Sequence, residues 1–217
     1  MIPGLPHNVT QRGNNRQDIF LTDRDRISYL ALLAHESEKY GLEVLDYCLM
    51  TNHVHLVVRP QRLESLAWTV GRVHFTYSQR FNITHDRKGH LFQARFYSCA
   101  FDEGNLPVVM RYVERNPVRA GIVGAAWKFP WSSAAAHVGA VPAARCITPA
   151  AWSAIVSREQ WREFLEEPDR EDILDGLRRR TAVGRPWGSQ EFVAQLEARL
   201  GRQLKLKPVG RPPGRRK

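Results

Sequence analysis

Residues 49–59 read Leu-Met-Thr-Asn-His-Val-His-Leu-Val-Val-Arg, and the alternation within this stretch predicts a β-strand. Successive side chains along a strand point to opposite faces, so His53 and His55 share one face while Val54 and Leu56 share the other. The apolar face is expected to pack on a core. Two neutral imidazoles on one face can ligate a single divalent metal ion.

A second sequence element bears on the same chemistry. Tyr112 and Asn116 are four residues apart, which places them on one face of a helix. A tyrosine can act as a covalent nucleophile, but its phenol, with a reference pKa of about 10, needs an activated electrophile. A divalent metal that polarises a phosphate oxygen supplies that activation. The pattern predicts a metal site of His53, His55 and Asn116, with Tyr112 as nucleophile.

Each of these residues also has a plain structural interpretation. The histidine pair can lie on a solvated strand face, Tyr112 can be a buried aromatic residue, and Asn116 can simply end a helix before Pro117. Taken together, the four residues favour the catalytic interpretation. Tyr97 is the rival nucleophile, but it lies on a predicted strand and has no amide side chain four residues further on.

Composition limits the class of protein. The chain has 217 residues, 43% hydrophobic and 25% charged, which fits one medium domain or a domain with a smaller appendage. The sequence contains neither an apolar run of transmembrane length nor the features of a signal peptide at its start. Its three cysteines are widely spaced and form no metal or disulfide pattern. We therefore expect a cytoplasmic protein that does not enter membranes.

Most of the net charge of +10 resides at the C-terminus. Residues 202–217 carry seven basic side chains and no acidic one, which leaves +3 for residues 1–201. Such a basic, Pro- and Gly-rich tail is predicted to be disordered and suits polyanion binding, although a purely solubilising tail is the alternative. The seven are Arg202, Lys205, Lys207, Arg211, Arg215, Arg216 and Lys217.

The hydrophobic pattern predicts the element order β-α-β-β-α-β followed by a third helix. The predicted strands cover 7–12, 42–50, a segment starting at 53, and 91–101, and the predicted helices cover 23–40, 63–81 and 106–115. This order is the split β-α-β, ferredoxin-like plan of the α+β class. In that plan helices cover one sheet face, and the other face is free for a ligand or a further helix. Pro117 is expected to end the third helix.

The remainder of the chain predicts a helical extension. An acidic helical region, 159–177, is expected to pack through Trp161, Phe164 and Leu165 and is a poor surface for DNA; a last helix follows an N-cap at Ser189. Two Gly-Arg-Pro segments, within 183–188 and 209–214, are either minor-groove contacts or plain turns. The predicted division is a domain at 1–135, a helical extension at 136–201 and the tail at 202–217.

Four motifs of the chain carry a resemblance to a known family. They are Thr51-Asn52-His53-Val54-His55-Leu56, Gly89-His90-Leu91-Phe92-Gln93-Ala94-Arg95-Phe96, Tyr112-Val113-Glu114-Arg115-Asn116-Pro117-Val118-Arg119-Ala120-Gly121 and Trp131-Ser132-Ser133. Together they resemble the REP-associated tyrosine transposases, which belong to the HUH single-tyrosine transposases. The resemblance spans roughly residues 3–135. Asn8 departs from it, because a histidine is expected there, and the chain begins a few residues later than typical relatives.

The resemblance implies an activity and its site. His53, His55 and Asn116 would hold Mg²⁺ or Mn²⁺, and Tyr112 would form a 5′-phosphotyrosine link to single-stranded DNA folded as a REP-type hairpin. Such a protein would be a monomer or homodimer associated with the nucleoid. The alternatives are a catalytically silent hairpin-binding protein and a domain with a structural metal. Weaker candidates for DNA contacts are Arg12, Arg16, Arg87, Lys88, Arg95, Arg119, Arg211, Arg215, Arg216 and Lys217.

Overall fold

A four-stranded antiparallel sheet forms the centre of the protein, which we describe from a computed structural model covering residues 2–148 and 157–204. The strands are β1 (His7–Arg12), β2 (Leu42–Met50), β3 (His53–Pro60) and β4 (Tyr97–Ala100). They lie in the order β2-β3-β1-β4, and every neighbouring pair is antiparallel. This is the sheet of the ferredoxin-like plan, so the predicted α+β fold is confirmed.

The helices follow the predicted order. They are α1 (Asp23–Tyr40), α2 (Ser65–Thr84), α3 (Leu106–Glu114), α4 (Asn116–Arg119), α5 (Ala134–His137), α6 (Arg158–Glu166), α7 (Glu171–Val183) and α8 (Gln190–Leu200). Local signals set their ends: Thr22 caps α1, Ser189 caps α8, and Gly41 ends α1 in the left-handed conformation. The acidic region is thus two helices, and α7 continues past Leu177 into a run of arginines.

Two predicted boundaries were wrong. The fourth strand is much shorter than 91–101, because the preceding loop bonds to the turn after β1 instead of to a strand: the Asn14 amide donates to the Leu91 carbonyl at 2.8 Å. Pro117 does not stop the helical path either. It occupies the first turn of α4, where its missing N–H costs little.

The two faces of the sheet are buried in different cores. Val54, Leu56 and Val58 pack against α1 and α2, as the alternation along β3 predicted. The histidine face is covered as well, since Val57 belongs to a second core with residues of α3, α6 and α7, including the fully buried Trp161. The first 135 residues and the helical extension therefore share this second core.

Short segments cover both edges of the sheet. The Leu49 amide of β2 donates to the Trp131 carbonyl, and beyond β4 the Trp187 amide donates to the Ala100 carbonyl at 2.9 Å. Covered edges cannot pair with the strands of other chains. Residues 202–204, predicted to belong to the tail, pack on α8, because Leu204 is buried and its amide donates to Glu197.

A buried polar cluster anchors α3 from behind. The Glu114 carboxyl has no exposed surface. It accepts a hydrogen bond of 2.9 Å from Trp161 Nε1, and it forms a second, short hydrogen bond with His137 Nδ1. Asp46 joins the cluster through a register shift of β2 between Val44 and Asp46, and Ser133 donates to its carboxyl. The cluster links α3 to β2, α5 and α6.

Within residues 2–148 and 157–204, no helix combines the length and the apolar character needed to cross a bilayer.

The Glu114 cluster yields a stability prediction. Burial raises the pKa of Glu114 to about 8, so the carboxyl is protonated near neutral pH and a glutamine can replace it. Glu114→Ala should lower the free energy of unfolding by roughly 3 kcal/mol, because it removes the hydrogen bonds of Glu114 with Trp161 and His137 and opens a cavity. Glu114→Gln should lose far less. Urea denaturation measures both, and equal losses would contradict the protonated state.

Candidate active site

Strand β3 presents the two histidines side by side. The His53 and His55 rings lie 5.0 Å apart, centroid to centroid, at an angle of 80°. The Asn52 side-chain oxygen lies 2.6 Å from His53 Nδ1 and accepts a hydrogen bond from its N–H. That hydrogen bond leaves Nε2 of His53 with a free lone pair, which is how a second residue orients a metal-binding histidine.

Both imidazoles are neutral at physiological pH. Burial, assisted by the positive charge of Arg12, lowers the pKa of His53 to about 4, and burial holds the pKa of His55 well below its usual value. Nδ1 of His55 is buried and has no hydrogen-bond partner among the described residues. A neutral imidazole with an unsatisfied ring nitrogen is in the form that binds a metal.

Helix α3 places Tyr112 directly over this pair. The Tyr112 and His55 ring centroids are 5.7 Å apart, and the rings are nearly perpendicular. Tyr112 is mostly buried, yet its hydroxyl makes no hydrogen bond within the described part of the chain and borders an open cavity. The ring is thus held by packing while its oxygen stays available, unlike that of a purely structural tyrosine.

Asn116 lies one turn beyond Tyr112 and borders the same cavity. Its Nδ2 donates to the carbonyls of Tyr112 and Val113 at 3.1 and 3.0 Å. Asn116 therefore caps the end of α3, as the structural alternative predicted. The same hydrogen bonds fix the amide so that its oxygen has no donor among the described residues and is free to accept another partner.

The four predicted residues thus converge on one cavity of about 370 Å³. The other lining residues are Thr10, Gln11, Arg12, Gln93, Tyr97, Arg178, Thr181 and Ala182. No carboxylate from the described part of the chain is among them, so the cavity suits an anion. Tyr97, the rival tyrosine, lies in the same cavity and is 44% exposed.

Three arginines at four-residue spacing clamp the tyrosine helix. Asp169, between α6 and α7, lies 3.1 Å from Arg111, 3.0 Å from Arg115 and 3.6 Å from Arg119. The guanidinium of Arg119 also lies over the Tyr112 ring, 4.6 Å from its centroid. Burial lowers the pKa of Arg119, and the Asp169 carboxylate opposes that effect. The extension therefore holds the nucleophile candidate in place.

The basic residues proposed from sequence lie in different surroundings. Arg12 borders the cavity, and Arg119 is engaged with Tyr112 and Asp169. The side chains on the outer surface are Arg16, Arg87, Lys88 and Arg95. The remaining basic residues lie outside the described residues, as does the second Gly-Arg-Pro segment at 209–214. They are Lys205, Lys207, Arg211, Arg215, Arg216 and Lys217.

Sequence reasoning missed two groups of residues. Asp46, Glu114 and His137 bring ligand atoms within 4.8 Å of one another and could together hold a cation, but they are buried behind α3 and do not border the cavity. Arg178 and Thr181 of α7 border the cavity from the helical extension. The run Arg178-Arg179-Arg180 is a sequence signal that could have indicated the basic wall of the cavity. Asp46, Glu114 and His137 are far apart along the chain, and their spacing gives no signal of a cluster.

Comparisons with known proteins agree with this architecture. The family model "Transposase IS200 like" matches residues 6–116, just over half of the chain. A structure of a REP-associated tyrosine transposase bound to a REP hairpin superposes with a TM-score of 0.54 and 18% identity, over 63% of this chain and 81% of that one. At this identity the likeness shows the fold alone.

A crystal structure described as a candidate transposase from Deinococcus radiodurans R1 is less similar. It gives a TM-score of 0.39 and 16% identity, over 53% of this chain and 92% of that one, which is too weak to support an argument. No protein of curated function matches the sequence.

The fold and site define a class: an α+β domain whose central sheet presents two histidines to a tyrosine-bearing helix. With the family match over 6–116, the chain belongs to the IS200-like transposases. Within them its fold is similar to that of a REP-associated tyrosine transposase, as the motifs predicted.

The arginine clamp yields a second stability prediction. Asp169→Ala should lower the free energy of unfolding by roughly 3 kcal/mol, because it leaves three largely buried guanidinium groups without their shared carboxylate. Asp172→Ala is the matched control, since its ion pair with Arg170 is exposed and should contribute nothing measurable. Denaturation curves that coincide for the two variants would show that the clamp does not stabilise the fold.

Proposed function

We propose that the protein is a single-tyrosine DNA strand transferase of the HUH type, which cleaves and rejoins single-stranded DNA. The observation that carries the proposal is the convergence of His53, His55, Tyr112 and Asn116 on one cavity without carboxylates. These residues come from a strand and from the end of a helix about 60 residues further along the chain. A non-catalytic hairpin-binding protein would have no use for the whole set.

The proposed reaction is a transesterification at phosphorus. The Tyr112 oxygen attacks a phosphodiester, the bond from that oxygen to phosphorus forms, and the bond from phosphorus to the 3′ oxygen breaks. The phenol loses its proton and the leaving 3′ oxygen gains one, so the products are a 5′-phosphotyrosine and a free 3′-hydroxyl. Attack by a 3′-hydroxyl in the reverse direction rejoins the strand.

The residues fit a divalent metal ion, Mg²⁺ or Mn²⁺. Nε2 of His53 has a free lone pair, and the buried Nδ1 of His55 has no hydrogen-bond partner among the described residues. The side-chain oxygen of Asn116 accepts no hydrogen bond from a described residue. When bound, the ion would polarise a non-bridging phosphate oxygen. The chain itself positions the phenol: packing on His55 and the Arg119 guanidinium hold the ring, and the capped end of α3 fixes the distance between Tyr112 and Asn116.

The proposed substrate is a single-stranded hairpin of REP type. Its support is the fold shared with the REP-associated transposase, whose structure holds such a hairpin, together with the motifs of the sequence. The basic residues beyond 204 would add sequence-independent phosphate contacts. An enzyme of this kind would act on the chromosome, hence in the cytoplasm at the nucleoid, as a monomer or homodimer.

Tyr112→Phe should abolish the covalent protein–DNA adduct while leaving DNA affinity within about twofold, because only the nucleophilic oxygen is lost. The assay incubates the protein with labelled hairpin oligonucleotides copied from inverted repeats beside its gene, with Mg²⁺ or Mn²⁺, and resolves denaturation-resistant adducts on a gel. Tyr97→Phe is the matched control and should still form the adduct. An adduct with Tyr112→Phe but not with Tyr97→Phe would reverse the assignment, and binding without any wild-type adduct would favour the silent hairpin-binding protein.

Variants at Asn116 separate its two roles. Asn116→Ala loses both the capping amide and the ligand oxygen, whereas Asn116→Asp keeps an oxygen and loses the amide donors. If Asn116 is a ligand, the alanine variant should need roughly 10- to 100-fold more Mn²⁺ for half-maximal cleavage, and the aspartate variant should not. Equal metal titrations for the two variants would leave Asn116 as a helix cap only. Circular dichroism checks that both remain folded.

A further inference from the structure

We infer that the cavity beside Tyr112 holds one unpaired nucleotide next to the scissile phosphate, with its base stacked on Tyr97 and a phosphate bound by Arg178 of α7. This inference rests on the proposed function and deepens it, because it assigns the residues that bind the DNA strand beside the scissile phosphate. It gives the helical extension a direct part in substrate binding.

The sheet register places Tyr97 on the histidine face. Thr10 of β1 pairs with His55 on one side and with Tyr97 on the other, so the side chains of all three residues point to the same face. Two strand spacings, about 10 Å, separate the backbones of His55 and Tyr97. That separation suits a neighbouring nucleotide better than the scissile phosphate itself.

Tyr97 has the properties of a stacking platform. It is 44% exposed, and no described residue contacts its ring as an aromatic or cationic partner or hydrogen-bonds to its hydroxyl. A large aromatic side chain left open in a polar cavity is the device by which proteins bind single-stranded nucleic acid, since every base offers a flat face. This role also explains a second tyrosine in the cavity without making it a rival nucleophile.

Helix α7 forms the opposite wall of the cavity and is firmly attached to the sheet. The Asn8 amide of β1 donates to Thr181 Oγ1 at 2.9 Å in a buried contact, and Cys99 Sγ donates to the Arg185 carbonyl. Arg178 lies one turn before Thr181 and borders the cavity. Its ion pairs, with Glu171 and Asp175, are exposed and weak, so the guanidinium can turn to a phosphate.

The size and charge of the cavity fit this occupant. A volume of about 370 Å³ lies within the range of ligand pockets, which span roughly 300–1,000 Å³. Arg12, in register with His53, and Arg178 supply two positive charges, and no carboxylate of the described residues borders the space. A cationic groove with one aromatic platform binds a single strand through its backbone and one base.

The first test combines variants of Tyr97 with an abasic scan. The labelled hairpin oligonucleotide cleaved by the wild type is prepared with one abasic site at a time, and affinities are measured by fluorescence anisotropy in the Tyr112→Phe background. At one position beside the cleavage site the missing base should weaken binding roughly 5- to 150-fold. Tyr97→Phe should keep this penalty, and Tyr97→Ala should remove it.

The second test addresses Arg178 in the same way. Neutral methylphosphonate linkages replace one phosphate at a time, and Arg178→Ala should abolish the penalty at a single linkage next to that base. Arg179→Ala is the matched control, since Arg179 is exposed on the same helix and does not border the cavity, and it should leave every penalty unchanged.

The outcomes distinguish the two proposals. Coupling of Tyr97 to one base and of Arg178 to one adjacent phosphate supports the subsite. If the wild type binds and cleaves the hairpin but neither residue couples to any position, the subsite is wrong and the proposed function stands. If the wild type neither binds nor cleaves, both are overturned. Tyr97, Arg178 and Arg179 are exposed, so their substitution should leave the fold intact. Thermal melting checks that each variant is folded.

Discussion

The carboxyl group of Glu114 is the constraint on which the rest of the site depends. It is fully buried, it bonds to Trp161 of α6 and His137 of α5, and it stands two residues from Tyr112 on the same helix. A buried polar group without partners costs about 1–3 kcal/mol, so the helix can occupy only the position that satisfies it. That position sets the Tyr112 ring against His55. The position of Tyr112 relative to His55 is thus determined from behind the helix by a group with no exposed surface.

The ion pairs beside the Tyr112 helix carry an excess of positive charge. Arg111, Arg115 and Arg119 share the carboxylate of Asp169, so three positive charges face one negative charge. Arg111 also donates to the backbone carbonyls of Phe164 in α6 and of Pro168, and these hydrogen bonds do not neutralise its charge. The excess is positive and lies beside the cavity. Under the proposed function this excess would attract a phosphodiester, and Asp169 reduces the repulsion between the three arginines.

The sequence predicted what short-range chemistry determines. Alternation along β3 gave the two faces of the sheet, the predicted bounds 23–40 match α1, and the N-cap predicted at Ser189 is confirmed. The register shift before Asp46 and the contacts of Asp169 could not be predicted, because they join parts of the chain that only the folded core brings together. Tyr112, Asn116 and the histidines were found because one strand and one helical turn carry them. The wall formed by α7 was missed because charge along 159–177 had indicated a surface that avoids DNA.

Asn8 shows how the helical extension is attached to the sheet. The resemblance to the family leads us to expect a histidine at this position of the first strand. In the structure Asn8 is almost fully buried and its side-chain amide donates to Thr181, so the side chain attaches α7 to the sheet. The segment that matches the family ends at residue 116 and supplies the histidines and the tyrosine. The extension supplies a buried core residue, a carboxylate for the arginines and one wall of the cavity, so the two parts of the chain build one site.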